Sequence, residues 1–117
     1  MTLFKWIEGR QQGVKYKKFC LWYFKIFGYG FDAYILKYDN YSDLPVHSDE
    51  IENAEHYRLN IKIKGFARFC ILDIETNRWQ ITTNSIVLFR PDLYPHCLQV
   101  GPNGCTKLSF GFVKFLT

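Results

Sequence analysis

In the stretch LPVHSDE, residues 44–50, His47 and Asp49 stand two positions apart. On an extended backbone such residues point to the same side, so an imidazole and a carboxylate are offered together to one ion. A His-x-Asp pair also arises by chance in polar loops, and metal chemistry needs a third donor. Two further histidines are present. His56 lies in a loop at the start of a strand, where exposure is expected. His96 follows FRPDLYP and opens a strand after a proline turn. The order His47-x-Asp49, further strands, then His96 is a two-histidine, one-carboxylate set. Three such ligands on one face of an octahedral ferrous ion leave three positions open. Two can chelate a bidentate cosubstrate and the third can take dioxygen. The plain alternative is three polar side chains with separate surroundings.

Lys107 adds to this reading. It lies in TKLSFGF, eleven residues beyond His96. At strand period, Cys105, Lys107 and Ser109 share one face and Leu108 and Phe110 the other. A lysine inside such a strand is costly unless an anion meets it. The distal carboxylate of 2-oxoglutarate is one such anion, and Ser109 could add a hydroxyl to it. The alternative is a lysine facing water on an edge strand. Nucleophile chemistry finds no support, because no Gly-x-Ser-x-Gly occurs and no cysteine has an evident base. Cys20, Cys70, Cys97 and Cys105 form no Cys-x-x-Cys, so buried free thiols are expected. Cys97 points away from the face of His96.

The elements that must position these residues read as β almost throughout. VKYKKFCLWYFKIF, 14–27, and FDAYILKY, 31–38, flank GYG and predict a hairpin within the main sheet. YDNYSDLP is turn-rich. HYRLNIKIK, 56–64, alternates strictly, with Leu59, Ile61 and Ile63 on one face. Further strands are expected over 67–74, 78–83, 85–90, 96–100 and 106–115, with GPNG as a turn. About eight strands at this spacing favour a sandwich, jelly roll or barrel. The only helix candidate is TLFKWIEGRQQ, 2–12, where Leu3, Trp6 and Ile7 share a face.

At 117 residues the chain has room for one domain, 1–117. Hydrophobic residues make up 48% and aromatics 19%, which predicts a packed core and excludes a disordered chain. The longest apolar runs are too short to span a bilayer, and the N-terminus lacks the apolar core of a signal peptide. A cytoplasmic location is therefore expected, with no membrane partner. The net charge of +4 is uneven: residues 1–30 carry six Lys/Arg against Glu8 alone. Such a basic edge could meet phosphate or an acidic partner, or be a solvated strand face. No nucleic-acid-binding signature or phosphate loop accompanies it.

The series FDAYILKY, HSD, HYRLNIKIK, IVLFRPDLYPHCLQV and KLSFGF, within residues 31–113, resembles the Fe(II)/2-oxoglutarate-dependent oxygenases. The likeness is to their small bacterial and phage members and the prolyl-hydroxylase-like branch. The resemblance implies a double-stranded β-helix, or jelly roll, with the metal held by His47, Asp49 and His96. It implies cosubstrate contacts from Tyr38, Arg58 and Asn60 beside Lys107 and Ser109. It departs from the family at the start of the last strand, where relatives usually carry an arginine. That slot falls on Cys105, and Lys107 lies one inward position further along. A cupin-type site fits less well, because it would want His-x-His and a glutamate where this chain has His-Ser-Asp.

The resulting expectation is a dioxygenase that uses Fe(II), 2-oxoglutarate and dioxygen. It would hydroxylate a C–H bond of an unidentified substrate and release succinate and CO2. Small size and the basic hairpin suit a protein side chain or a nucleic acid better than an enclosed small molecule. The alternative is an inactive jelly-roll module that keeps a metal site and binds a protein or nucleic acid.

Overall fold

The computed structural model describes residues 3–11, 13–39, 42–49, 51 and 53–116. Among these residues eight strands form: β1 (Trp6–Gln11), β2 (Val14–Ile26), β3 (Tyr29–Tyr38), β4 (Leu44–His47), β5 (Ala54–Asp73), β6 (Arg78–Thr82), β7 (Ile86–Phe89) and β8 (His96–Phe115). All named pairings are antiparallel. The architecture is an all-β jelly roll, one of the three that the strand spacing favours and the one that the family resemblance implies.

Two long strands, β5 and β8, pair along their whole length and belong to both layers. The first part of β5 and the last part of β8 lie with β1, β2, β3 and β7 in a large sheet. The remaining parts lie with β4 and β6 in a small one. The sequence reading divides each long strand in two, at residues 65–66 and at GPNG. The structure instead bends both strands there, with register shifts at Lys62/Lys64 and Gly65/Ala67. Gly65 makes the corner possible. Its φ is +88°, and a Cβ there would lie 2.1 Å from the Gly104 carbonyl oxygen, so only glycine lets the two backbones approach this closely.

The predicted helix over 2–12 is not seen among the described residues of that span, 3–11. Residues Trp6–Gln11 are β1, the edge strand against β2. The shared face of Leu3, Trp6 and Ile7 was a weak signal, and Gly9 disfavours a helix. In the strand Gly9 has a use, since a Cβ there would lie 2.6 Å from the Tyr16 ring. The predicted hairpin is present within the large sheet. Phe27 and Gly28, both with positive φ, form its two-residue turn between Ile26 and Tyr29, the geometry that suits the right-handed twist of strands.

Tyr38, Leu44, Phe69, Phe89, Leu98 and Val100 are the larger members of a hydrophobic cluster between the layers. The inner side of the large sheet beyond this cluster is polar, with Lys18, Asp32, Arg58, Asn60, Lys107 and Ser109 lining a cavity. Among the described residues no helix is long and apolar enough to cross a membrane.

Candidate metal centre and its pocket

β4 and β8 bring His47 directly opposite His96. Opposed residues on antiparallel strands share a face, and the two ring centroids are 4.4 Å apart. Asp49 lies two residues past the end of β4. Its backbone N–H donates to the Pro91 carbonyl at 2.7 Å, which fixes the loop against the PDLYP turn. The proline turn before β8 thus serves both sides of the site.

Each imidazole is held by its rear nitrogen. His47 Nδ1 lies 2.7 Å from the Pro45 carbonyl and His96 Nδ1 lies 2.8 Å from the Tyr94 carbonyl. A carbonyl only accepts, so each Nδ1 carries the proton and each Nε2 presents its lone pair. The two Nε2 atoms lie 3.7 and 3.6 Å from the two carboxylate oxygens of Asp49, too far for good hydrogen bonds. One ligand atom from each residue can be chosen so that all three lie within 4.8 Å of one another. Buried His47 Nε2 has no hydrogen-bond partner among the described residues. An orphaned acceptor of this kind is costly, and a cation between the three residues would relieve it. Facial ligands about 2.1 Å from one ion stand roughly 3 Å apart, so small rotamer changes suffice. Nδ1–carbonyl bonds are also the support that metal-ligating histidines typically receive. The residues present therefore fit a divalent metal ion.

The cavity beside this triad has a volume of about 270 Å³. It collects every residue that the sequence singles out: Tyr38, Arg58, Asn60, Lys107 and Ser109 line it together with the triad. Arg58 forms a close ion pair with Asp32 and donates to Ser109 Oγ at 2.7 Å. Ser109 in turn donates to Asn60 Oδ1 at 2.6 Å. The only proton of the Ser109 hydroxyl is therefore engaged, leaving it acceptor capacity. Gly111 makes room for the ion pair, since a Cβ there would lie 2.0 Å from Arg58 Nη2.

Lys107 is different. Its ammonium lies 5.3 Å from the centre of the buried Tyr38 ring, and among the described residues no carboxylate pairs with it. Burial lowers its pKa to about 8, with Arg58 lowering it further and Cys105 opposing. The side chain keeps part of its surface open, and that surface borders the cavity. Burial also pushes the Tyr38 phenol well above its ordinary value and that of Tyr34 to about 12, so both remain protonated at neutral pH.

His56 is not the exposed loop residue expected from the sequence. It is half-buried in β5, lines the cavity and approaches Arg58 Nε at 3.5 Å. Burial and the Arg58 charge lower its pKa. Sequence reasoning also passed over Asp32, Lys18, Tyr16 and Tyr34, which line the cavity. The available signal is Asp32, the one acid in the largely apolar and aromatic β3.

No protein-family model matches the chain, and no curated protein matches it in sequence. Solved structures do match in shape. KdgF from Halomonas sp. has a TM-score of 0.64 at 9% identity, covering 95% of this chain and 92% of that one. A deletion mutant of Bacillus subtilis oxalate decarboxylase OxdC also reaches 0.64, at 16% identity over 93% of this chain. The Schizosaccharomyces pombe Cnp3 cupin domain reaches 0.58 at 12% identity, covering 89% of this chain and 66% of that one. The fold is that of the cupin and jelly-roll proteins. This chain spans only 28% of the oxalate decarboxylase chain. The shape likeness extends to the fold alone, and the His-Ser-Asp pair departs from the His-x-His of a cupin-type site.

Proposed function

We propose that the chain is an Fe(II)- and 2-oxoglutarate-dependent oxygenase. The observation that carries this reading is the placement of Lys107, a half-buried cation without a carboxylate partner among the described residues, in the same small cavity as the His47, Asp49 and His96 donors. A metal site alone fits many reactions. A metal site with a separate cation in one pocket fits a ligand that chelates at one end and carries a carboxylate at the other.

In this reading His47, Asp49 and His96 hold the metal through two Nε2 atoms and one carboxylate oxygen. Lys107 binds the distal carboxylate, and Tyr38 packs beneath the lysine. Arg58 and Asn60 shape the wall through Ser109, whose hydroxyl can turn to the ligand only by giving up Asn60. Phe89 and Phe69 pack around His96, with ring centroids 5.0 and 6.0 Å away, and keep water from that side. Together, Fe(II), 2-oxoglutarate and dioxygen supply the oxidising power for C–H hydroxylation, with succinate and CO2 released. A cavity of about 270 Å³ leaves little space beyond the cosubstrate. The prime substrate is therefore proposed to reach the metal from the cavity mouth, as a protein side chain or a nucleic acid would.

The shape likeness to oxalate decarboxylase favours a second reading, a metal-dependent enzyme acting directly on a small carboxylate. Lys107 would then hold the substrate itself. Succinate formation with Fe(II) and varied 2-oxoglutarate separates the two readings. An ion pair to a partly buried carboxylate is worth about 1.5–3 kcal/mol. Lys107→Ala should accordingly weaken 2-oxoglutarate by roughly ten- to a hundredfold, and Lys107→Arg should recover part of the loss. Equal 2-oxoglutarate dependence in wild type and Lys107→Ala would remove the lysine from this role.

A further inference from the structure

The outer side of the large sheet reverses the usual one-sided pattern, in which apolar side chains point inward and polar ones outward. The strand registers align Trp22, Ala33, Phe110, Leu59 and Leu88 in one row across β2, β3, β8, β5 and β7. A second row holds Phe24, Phe31, Phe112 and Tyr57. A third holds Phe19, Ile35, Leu108, Ile61 and Ile86. None of the three rows contains a charge. The rings interlock within the face: Phe24 stacks on Phe31 with centroids 5.1 Å apart, and Phe31 meets Phe112 at 5.3 Å. Yet Leu88 is 70% exposed and Trp22 40%. A groove of about 250 Å³ runs between them.

We propose that this face is the contact between two copies of the chain, packed sheet on sheet. The area is sufficient. Five strands about 4.8 Å apart and three rows about 6.8 Å apart give a flat footprint near 500 Å² per copy. Two such faces bury about 1,000 Å², and the relief of the protruding rings adds to it, which reaches the range of specific interfaces. The footprint is also at the upper end of what monomers leave exposed.

An identical copy suits the face for two reasons. The uncharged centre raises no repulsion between like surfaces. The rims carry different charges at the two strand ends, with Lys17, Lys37 and Lys64 on a row that also holds Glu8 at one end, and Glu55 beside Lys114 at the other. A two-fold axis in the plane of contact and across the strands exchanges these ends. Glu55 of each copy then meets the lysine end of its partner. This proposal rests on the sheet registers and exposures and does not depend on the enzymatic reading.

Sedimentation of the full chain over a concentration series tests it. The expected mass at micromolar concentration is twice the 13.9 kDa of one chain. Leu88→Glu combined with Trp22→Glu should return the mass to that of one chain, with circular dichroism unchanged. Leu88→Lys alone, at a site the fold leaves open, should weaken self-association at least tenfold if the double variant fails to fold. Ile81→Glu, an equally exposed change in β6, should leave the dimer intact. A wild-type monomer at all concentrations would overturn the proposal. So would a dimer that survives both Leu88 variants, or a monomer that instead co-sediments with phosphatidylcholine vesicles.

Discussion

Two polar clusters share one cavity, and they are completed in different ways. In the Asp32, Arg58, Ser109 and Asn60 cluster the guanidinium has its carboxylate and its hydroxyl, and the hydroxyl has an amide oxygen. In the His47, Asp49 and His96 cluster the rear nitrogens are fixed by carbonyls while His47 Nε2 has no hydrogen-bond partner among the described residues. Lys107 belongs with the second group. A network whose members satisfy one another stabilises the wall it sits in. A set that is oriented but left incomplete costs stability and is suited to receive something from outside. The difference separates scaffold from site within a cavity where residue types alone would not.

Substitutions should divide along the same line. The largest effect expected is on metal affinity. Asp49→Ala or His96→Ala should weaken divalent metal binding on the order of a thousandfold, measured by titration calorimetry. Asp49→Ala should leave the unfolding free energy of the metal-free protein within about 1 kcal/mol. A loss of metal binding no larger than that of a remote surface variant would dissolve the contrast.

The closed cluster should behave in the opposite way. Arg58→Ala strands the largely buried Asp32 carboxylate, and leaving one partner of such a pair uncompensated costs about 3–5 kcal/mol. Urea unfolding should show this loss. Replacing both partners, Asp32→Leu with Arg58→Met, should recover most of it. If the double variant is as unstable as the single one, the ion pair is not the reason for the cost.

Lys107 gives a prediction with a pH signature. Its folded pKa of about 8 lies below the unfolded value of about 10.4. Between these values the unfolded chain binds more protons, so this group makes stability rise with pH from about 8 toward 10.4. Below pH 8 the charged lysine opposes folding by its full amount. Lys107→Met should therefore be more stable than wild type at pH 7 by about 2–3 kcal/mol, and the advantage should shrink as the pH passes 8. Several cysteine and tyrosine pKa values are raised, which gives a slope of opposite sign at alkaline pH. The difference between the two proteins, rather than either curve, isolates the lysine. The smallest effect belongs to Ser109→Ala, which removes one bond from each of Arg58 and Asn60 and should cost about 1–2 kcal/mol without changing metal affinity.

Much of this site could be read from the sequence, for definite physical reasons. His47 and Asp49 were recognisable by a spacing of two, and Lys107 and Ser109 by strand period, because side-chain direction in a strand follows from position alone. Which face turns inward did not follow. Alternation in HYRLNIKIK implies that Leu59 and Ile61 share a side, and the usual expectation places that side in the core. Here Arg58 and Asn60 face the cavity, while Leu59 and Ile61 lie on the outer rows. Asp32 and Lys18 escape the sequence for the same reason, since a charge within a strand, alone of its sign like Asp32 or among other lysines like Lys18, resembles a solvent-facing position. The N-terminal segment was misread because Leu3, Trp6 and Ile7 fit a helical face over too few residues, and pairing with β2 decides such a case. The sequence breaks the strand at the β5 bend and gives a turn at the β8 bend because glycine, at positive φ in both Gly65 and Gly104, marks each place.

The central claim is that the open cluster and Lys107 receive two ends of one ligand. Anaerobic titration of Fe(II) into the protein, followed by 2-oxoglutarate, tests this most directly by its weak visible charge-transfer band. The account predicts one Fe(II) per chain and a band that appears only when both Fe(II) and 2-oxoglutarate are present. It also predicts a band that needs roughly ten- to a hundredfold more 2-oxoglutarate in Lys107→Ala. Fe(II) binding with no band at any 2-oxoglutarate concentration, or an identical band in wild type and variant, would contradict it.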